Sequence, residues 1–237
     1  MKLACSSTAF DASLRSGELT QLEWIDACAH EISADGVVLD VRHFPRTDAD
    51  YLAQIKKMTT DLGLGTAALY CHGFFELDPE PMNALLETAL ALGAPLLCAS
   101  APPETSASWS EVLTRLGTAA GLAKRHNVTL ALRNAPGTFA ATTHDMKRVS
   151  KEADSAWLRY APDFARLDNA SEREPLLAKA VLVWQPISEA NAATAHLLDR
   201  FLGYVALDDE GGAADVDTAK SALRRWRSAL FEAVNRT

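Results

Sequence analysis

No apolar run in the sequence approaches the roughly 20 residues needed to span a bilayer, and the opening MKLACSS has too short an apolar stretch for a secretory signal. The expectation is a cytoplasmic protein without a membrane partner. Cysteine is scarce. Cys5, Cys28, Cys71 and Cys98 are widely spaced, form no CxxC pair and sit in apolar segments, which favours buried thiols over disulfides or a zinc site. Positive charge is short as well: 23 Lys and Arg face 31 Asp and Glu, a formal net charge of −8. Phosphate neutralisation needs concentrated cations, so no nucleic-acid partner is expected, although a local basic pocket stays possible. The glycine-rich turn of a dinucleotide site follows none of the candidate strands.

What the chain does have is 237 residues, 48% of them hydrophobic, enough to bury a sizeable core. Eight β-rich runs alternate with helical patterns from end to end: residues 2–6, 36–41, 64–71, 95–100, 128–134, 157–163, 179–185 and 203–208. Apolar residues recur at helical spacing between them, as in Leu22, Ile25, Ala29 and Ile32, or Met82, Leu85, Leu86, Ala89 and Leu90. Asp78 before Pro79, Ser108 with Glu111, Thr143, Ser188 and Asp215 mark helix starts. The sixth interval, 164–178, has room for one short helix. A repeat of about 30 residues suits a single (β/α)8 TIM barrel over residues 1–237, with no linker or second domain. An open doubly wound sheet is the competing architecture.

Several segments resemble the xylose isomerase-like TIM barrel family, which includes sugar phosphate isomerases and epimerases. DGVVLDVRHFP (35–45) resembles its second strand and exit, and TTDLGL (59–64) the helix end before the third strand. ALALGAP (89–95) is similar to the turn into the fourth strand, LALRN (130–134) to the fifth strand, and FLGYVALDDEGG (201–212) to the last strand and its loop. The resemblance spans essentially the whole chain. It implies one divalent cation held by a glutamate ending the fifth strand, an aspartate near the sixth, a histidine near the seventh and an acid on the eighth. Position by position, Arg133 stands where that glutamate is expected, Asp163 and Asp208 fill the sixth and eighth places, and Trp184 and Gln185 occupy the seventh, which has no histidine.

A guanidinium has no electron pair to give a metal, so we expect the ordinary metal site to be degenerate and no cofactor to be bound. If Asp163 and Asp208 converge, Arg133 either replaces the cation's charge toward a ligand or forms a buried structural ion pair. Barrel active sites lie at the carboxyl ends of the strands. That rule nominates Ser6, Ser7, Asp40, Arg42, His43, Tyr70, His72, Ser100, Asn134, Gln185 and Glu210 beside Arg133, Asp163 and Asp208. Arg133, Asp163, Asp208 and His72 are the candidate catalytic residues, His72 as acid, base or plain rim histidine. Asp40, Arg42, His43, Asn134, Trp184, Gln185 and Glu210 are candidate substrate contacts, with Arg42 alternatively only an ion-pair partner for Asp40. Phe74 and Phe75, with Trp184, form either an apolar wall for a sugar or barrel packing.

Two functions follow. One is a sugar or sugar phosphate isomerase or epimerase that moves a proton beside a carbonyl without the family's metal. The other is a non-catalytic carbohydrate-binding or regulatory barrel. A multi-zinc nuclease, found on this barrel in distant relatives, is disfavoured by the acidic charge and by the position of most of the six histidines.

Overall fold

The computed structural model describes residues 1–167, 170–188, 192–198, 201–209 and 211–235. Eight parallel strands, β1 (Lys2–Ser6), β2 (Gly36–Asp40), β3 (Gly65–Tyr70), β4 (Leu96–Ser100), β5 (Thr129–Arg133), β6 (Leu158–Tyr160), β7 (Leu182–Pro186) and β8 (Tyr204–Asp208), follow one another around a barrel. Helices α1 (Asp11–Ser16), α2 (Gln21–His30), α3 (Ala49–Asp61), α4 (Pro79–Leu92), α5 (Trp109–His126), α6 (Thr143–Ala153), α7 (Ala170–Leu177), α8 (Ala192–Leu197) and α9 (Val216–Asn235) lie between and after them. All eight expected strands are present, and the open-sheet alternative falls away.

The hydrogen-bonded order runs β6-β5-β4-β3-β2-β1-β8-β7, and isolated bridges at Tyr160–Ala180 and Asp163–Trp184 join its two ends. Strand β6 is shorter than expected because Pro162 has no N–H to extend the ladder. The seam instead uses Val181 N–H to Tyr160 C=O (2.9 Å) and Trp184 N–H to Pro162 C=O (2.8 Å).

Local chemistry sets the helix starts. Thr20 with Glu23, Ser108 with Glu111 and Thr142 with Asp145 form reciprocal capping boxes that satisfy first-turn amides. The sixth helix therefore starts one residue from the expected signal: Thr142 caps, while the Thr143 hydroxyl donates to Glu172 C=O. Asp78 occupies the N-cap position of α4 without a side-chain bond, and Pro79 removes one amide that would need it. Helix α1 had no periodic signal.

Two apolar layers result. One packs the outer faces of the strands against the helices; Phe74 and Phe75, both fully buried and edge to face, belong to it and form no sugar wall. The other includes the small residues Ala4, Val38, Ala68, Cys98, Ala131, Ala161 and Ala206 together with the large Trp184, Tyr70, Leu96 and Leu182. Cys5, Cys28 and Cys98 are buried free thiols, as expected; Cys71 is half-buried.

Candidate functional site

Because side chains alternate along a strand, a step of two residues beyond the small interior layer reaches Ser6, Asp40, Tyr70, Ser100, Arg133, Asp163 and Asp208, one from each of seven strand ends. Apart from Trp184 below them, the mouth of the barrel is thus floored by a polar ring that is almost entirely buried.

Arg133 is its centre. Nε and Nη2 donate to Asp163 Oδ2 (3.1 and 2.7 Å), and Nη2 also donates to Asp208 Oδ2 (2.8 Å). The guanidinium carbon lies 3.8 Å from the centroid of the Trp184 ring in the layer below and 5.5 Å from that of Tyr70, so two aromatic rings stabilise the cation. Burial alone would lower the Arg133 pKa; the Asp163 and Asp208 carboxylates more than offset it, and the net shift is upward. Arg166 also reaches Asp163 Oδ2, at 3.1 Å. Arg133 Nη1 has no partner among the described residues, and Arg133 lines the mouth cavity.

The remaining carboxylate oxygens are also occupied. Asp163 Oδ1 accepts from Ala165 N–H (3.1 Å); Asp208 Oδ1 accepts from the Thr8 hydroxyl (2.5 Å) and Asp209 N–H (2.9 Å). Asn134 clasps the backbone of Asp163 in both directions, its Nδ2 donating to the C=O (3.2 Å) and its Oδ1 accepting from the N–H (2.6 Å). The backbone at Asp163 is therefore fixed by the residue that follows Arg133.

A second network flanks this knot. Arg42 grips Asp40 with Nε and Nη2 (2.7–3.1 Å), the ion pair foreseen as the plain alternative, and passes 3.4 Å from Asp11. His43 is buried with both ring nitrogens occupied, by Ser7 Oγ and Asp11 Oδ1 at 2.9 Å each. The spacing mimics a nucleophile triad, but Ser7 is fully buried and its oxygen accepts the Asp40 N–H (2.9 Å), so it presents nothing to a substrate. His72 stands at the rim, 3.2 Å from the Tyr70 hydroxyl. Partial burial, then the positive charge of Arg133, lowers its pKa below the ordinary 6.5; burial raises that of Tyr70.

The cavity above the knot measures about 190 Å³ and is lined by Thr8, Asp11, Arg42, Tyr70, Arg133, Arg166, Asp208, Asp209, Gly211 and Gly212. Gly212 has φ +61°, and a Cβ there would press on Asp11 Cβ at 2.8 Å, so only glycine lets the β8 loop approach α1 so closely. Of the expected contacts, Arg42, Arg133 and Asp208 reach the wall, with Tyr70. Asp40, His43, Asn134, Asp163, Trp184 and Gln185 lie behind or beneath it, and Glu210 is outside the described residues. Thr8, Asp11, Arg166 and Asp209 were not foreseen. Arg166 stands three residues after Asp163 in the interval with the weakest pattern; Thr8 and Asp11 follow β1, where no helix was expected.

The donor set does not fit the family's divalent cation. At the strand ends where ligands are expected, one position is a cation and the two carboxylates are turned onto it. Among the described residues no group of three or more His, Cys, Asp or Glu is arranged to hold a metal.

Comparison with known proteins agrees with this geometry at the level of the fold. No curated protein matches the sequence significantly. The structure is similar to a probable 3-DHS dehydratase, AsbF, from Bacillus anthracis (14% identity, 94% of this chain and 98% of that one, TM-score 0.77). It is also similar to a D-allulose 3-epimerase from Methylomonas sp. in complex with D-allulose (13%, 97% and 97%, 0.73). A xylose isomerase-like TIM barrel protein from Mycobacterium smegmatis in complex with magnesium is a third likeness (13%, 97% and 97%, 0.69). The profile of one family matches residues 27–212. This chain therefore belongs to the xylose isomerase-like TIM barrel family.

Proposed function

We propose that this barrel is a metal-independent isomerase or epimerase of a small sugar or sugar phosphate, with Arg133 supplying the positive charge that a divalent cation supplies elsewhere in the family. The observation that carries the reading is the Arg133 guanidinium, locked between Asp163 and Asp208 with Nη1 free and the residue exposed to a small polar cavity. Removing a proton from the carbon beside a carbonyl places negative charge on the carbonyl oxygen. A preorganised donor aimed at that oxygen stabilises the enediolate without having to reorganise. Asp163 and Asp208 hold Arg133 in place; their oxygens already accept from other groups. The proton is then assigned to His72, whose lowered pKa keeps its imidazole neutral at pH 7 and able to accept. A structural relative bound to D-allulose supports the substrate class.

The second reading, a sugar-binding barrel without turnover, is favoured by one observation: the Asp163 and Asp208 oxygens are occupied, and His72 stands outside the cavity wall. Incubation with a panel of ketoses, aldoses and their phosphates in heavy water and chelator separates the two. Deuterium entering the carbon beside the carbonyl, lost in Arg133→Ala and in His72→Gln, is the result expected of the enzyme. Its rate should rise with pH to a plateau reached through a midpoint below 6.5, because the base is active only when neutral. Saturable binding with no exchange is the signature of the binding barrel, and exchange that requires added metal contradicts the Arg133 mechanism.

A further inference from the structure

His72, the base of the proposed reaction, does not line the cavity that Arg133 faces. Tyr70 does. It ends β3 in the cavity wall, and its hydroxyl stands 3.2 Å from His72 Nδ1, so the phenol spans the distance between the cavity and the imidazole.

Both members of this pair are held in place. Tyr70 is buried, and its ring packs edge to face on Trp184 (centroids 5.2 Å apart), the side chain whose ring also lies 3.8 Å from the Arg133 guanidinium carbon. One platform thus carries the phenol and the cation together. His72 is fixed from behind by β4: the Ser100 N–H donates to its C=O (3.2 Å), and the Cys71 N–H before it donates to Cys98 C=O (2.9 Å). Its side chain is exposed at the rim and Nε2 has no partner among the described residues, so a proton arriving on the imidazole can pass to water.

From this arrangement, and resting on the isomerase or epimerase reading above, we infer that Tyr70 is the catalytic residue that meets the substrate and relays the proton beside the carbonyl to His72. With the imidazole hydrogen on Nε2, the phenol donates to Nδ1. As that O–H bond breaks and an N–H bond forms on His72, the phenolic oxygen gains the electron pair that takes the hydrogen from carbon. The C–H pair moves into the new carbon–carbon double bond, and the carbonyl pair moves onto oxygen, where Arg133 Nη1 meets it. One proton leaves the substrate, one reaches His72, and Tyr70 ends as it began. Reversal returns a hydrogen drawn from solvent.

The carboxylates in the wall are committed elsewhere. Asp11 is held by Arg42 and His43, Asp208 accepts from Arg133 and the Thr8 hydroxyl, and Asp209 accepts from the Ala213 N–H (3.1 Å). Burial pushes the Tyr70 phenol up, with the Arg133 charge the largest influence against it, so the hydroxyl keeps its proton at neutral pH until His72 draws on it.

Deuterium exchange into the sugar and sugar phosphate panel, run on the full chain, tests the relay. Tyr70→Phe keeps the ring on Trp184 and removes only the hydroxyl, so the saturated exchange rate should fall by about 10²–10⁴-fold, with the half-saturating sugar concentration and the thermal melt unchanged. Replacing Tyr70 by a ring-fluorinated tyrosine, which alters the acidity of the hydroxyl and little of its shape, should change the saturated rate and again leave half-saturation where it was. Wild-type exchange that persists undiminished in Tyr70→Phe would overturn the relay and leave the isomerase or epimerase reading standing. A wild type that exchanges no sugar in the panel would overturn both. Should Tyr70→Phe melt early or saturate more weakly, the fluorinated protein decides: an unchanged rate there assigns Tyr70 a structural role and overturns the relay.

Discussion

A single residue organises this barrel mouth. Arg133 ends β5 beside two buried carboxylates, and its forked donors reach both at once. Removing it leaves two buried carboxylates with Arg166 as the remaining neighbouring cation, so Arg133→Met should lower unfolding free energy by about 3–5 kcal/mol in urea titration. Arg133→Lys should recover only part of that, since a point charge cannot fork between Asp163 and Asp208. If both substitutions prove neutral, the knot does not hold the mouth. Arg133 was legible as a site candidate in the sequence, because LALRN ends an apolar strand in a charge. Arg166, a second cation on Asp163, was not: it ends a three-residue 3-10 helix, too short for any periodicity to say which way it points. Trp184, read as either a ligand wall or barrel packing, lies in the interior and packs against the guanidinium.

Among the elements, the strands were readable because each combines a short apolar run with turn residues. Their ends were less so, since the last ladder bond depends on the neighbour. Pro162 is the clearest case, shortening β6 and leaving the β6–β7 seam to isolated bridges while β7 and β8 pair over five positions. Hydrogen exchange should therefore find the Tyr160 and Val181 amides less protected than those of Val183 and Val205, buried in continuous ladders. Equal protection would mean that the seam is as strong as the rest of the barrel. Capping boxes located helices that periodicity alone blurred, whereas α1 escaped notice because six residues are too few to show a period.

For the whole molecule, eight βα repeats predicted a closed barrel, and their alternation explains why polar residues collect at one end: small interior residues give way, two positions on, to the ring around Arg133. On the proposed function, Arg133 supplies at the mouth the positive charge that a divalent cation supplies elsewhere in the family. The most direct test is calorimetric titration of manganese into the wild-type protein and into Arg133→Glu, after exhaustive chelation. No stoichiometric binding to the wild type is expected, and one equivalent should bind to the variant with a rise in its melting temperature, as three carboxylates then converge at the mouth. One equivalent bound by the wild type, lost in Asp163→Asn or Asp208→Asn, would contradict it and return the site to metal chemistry.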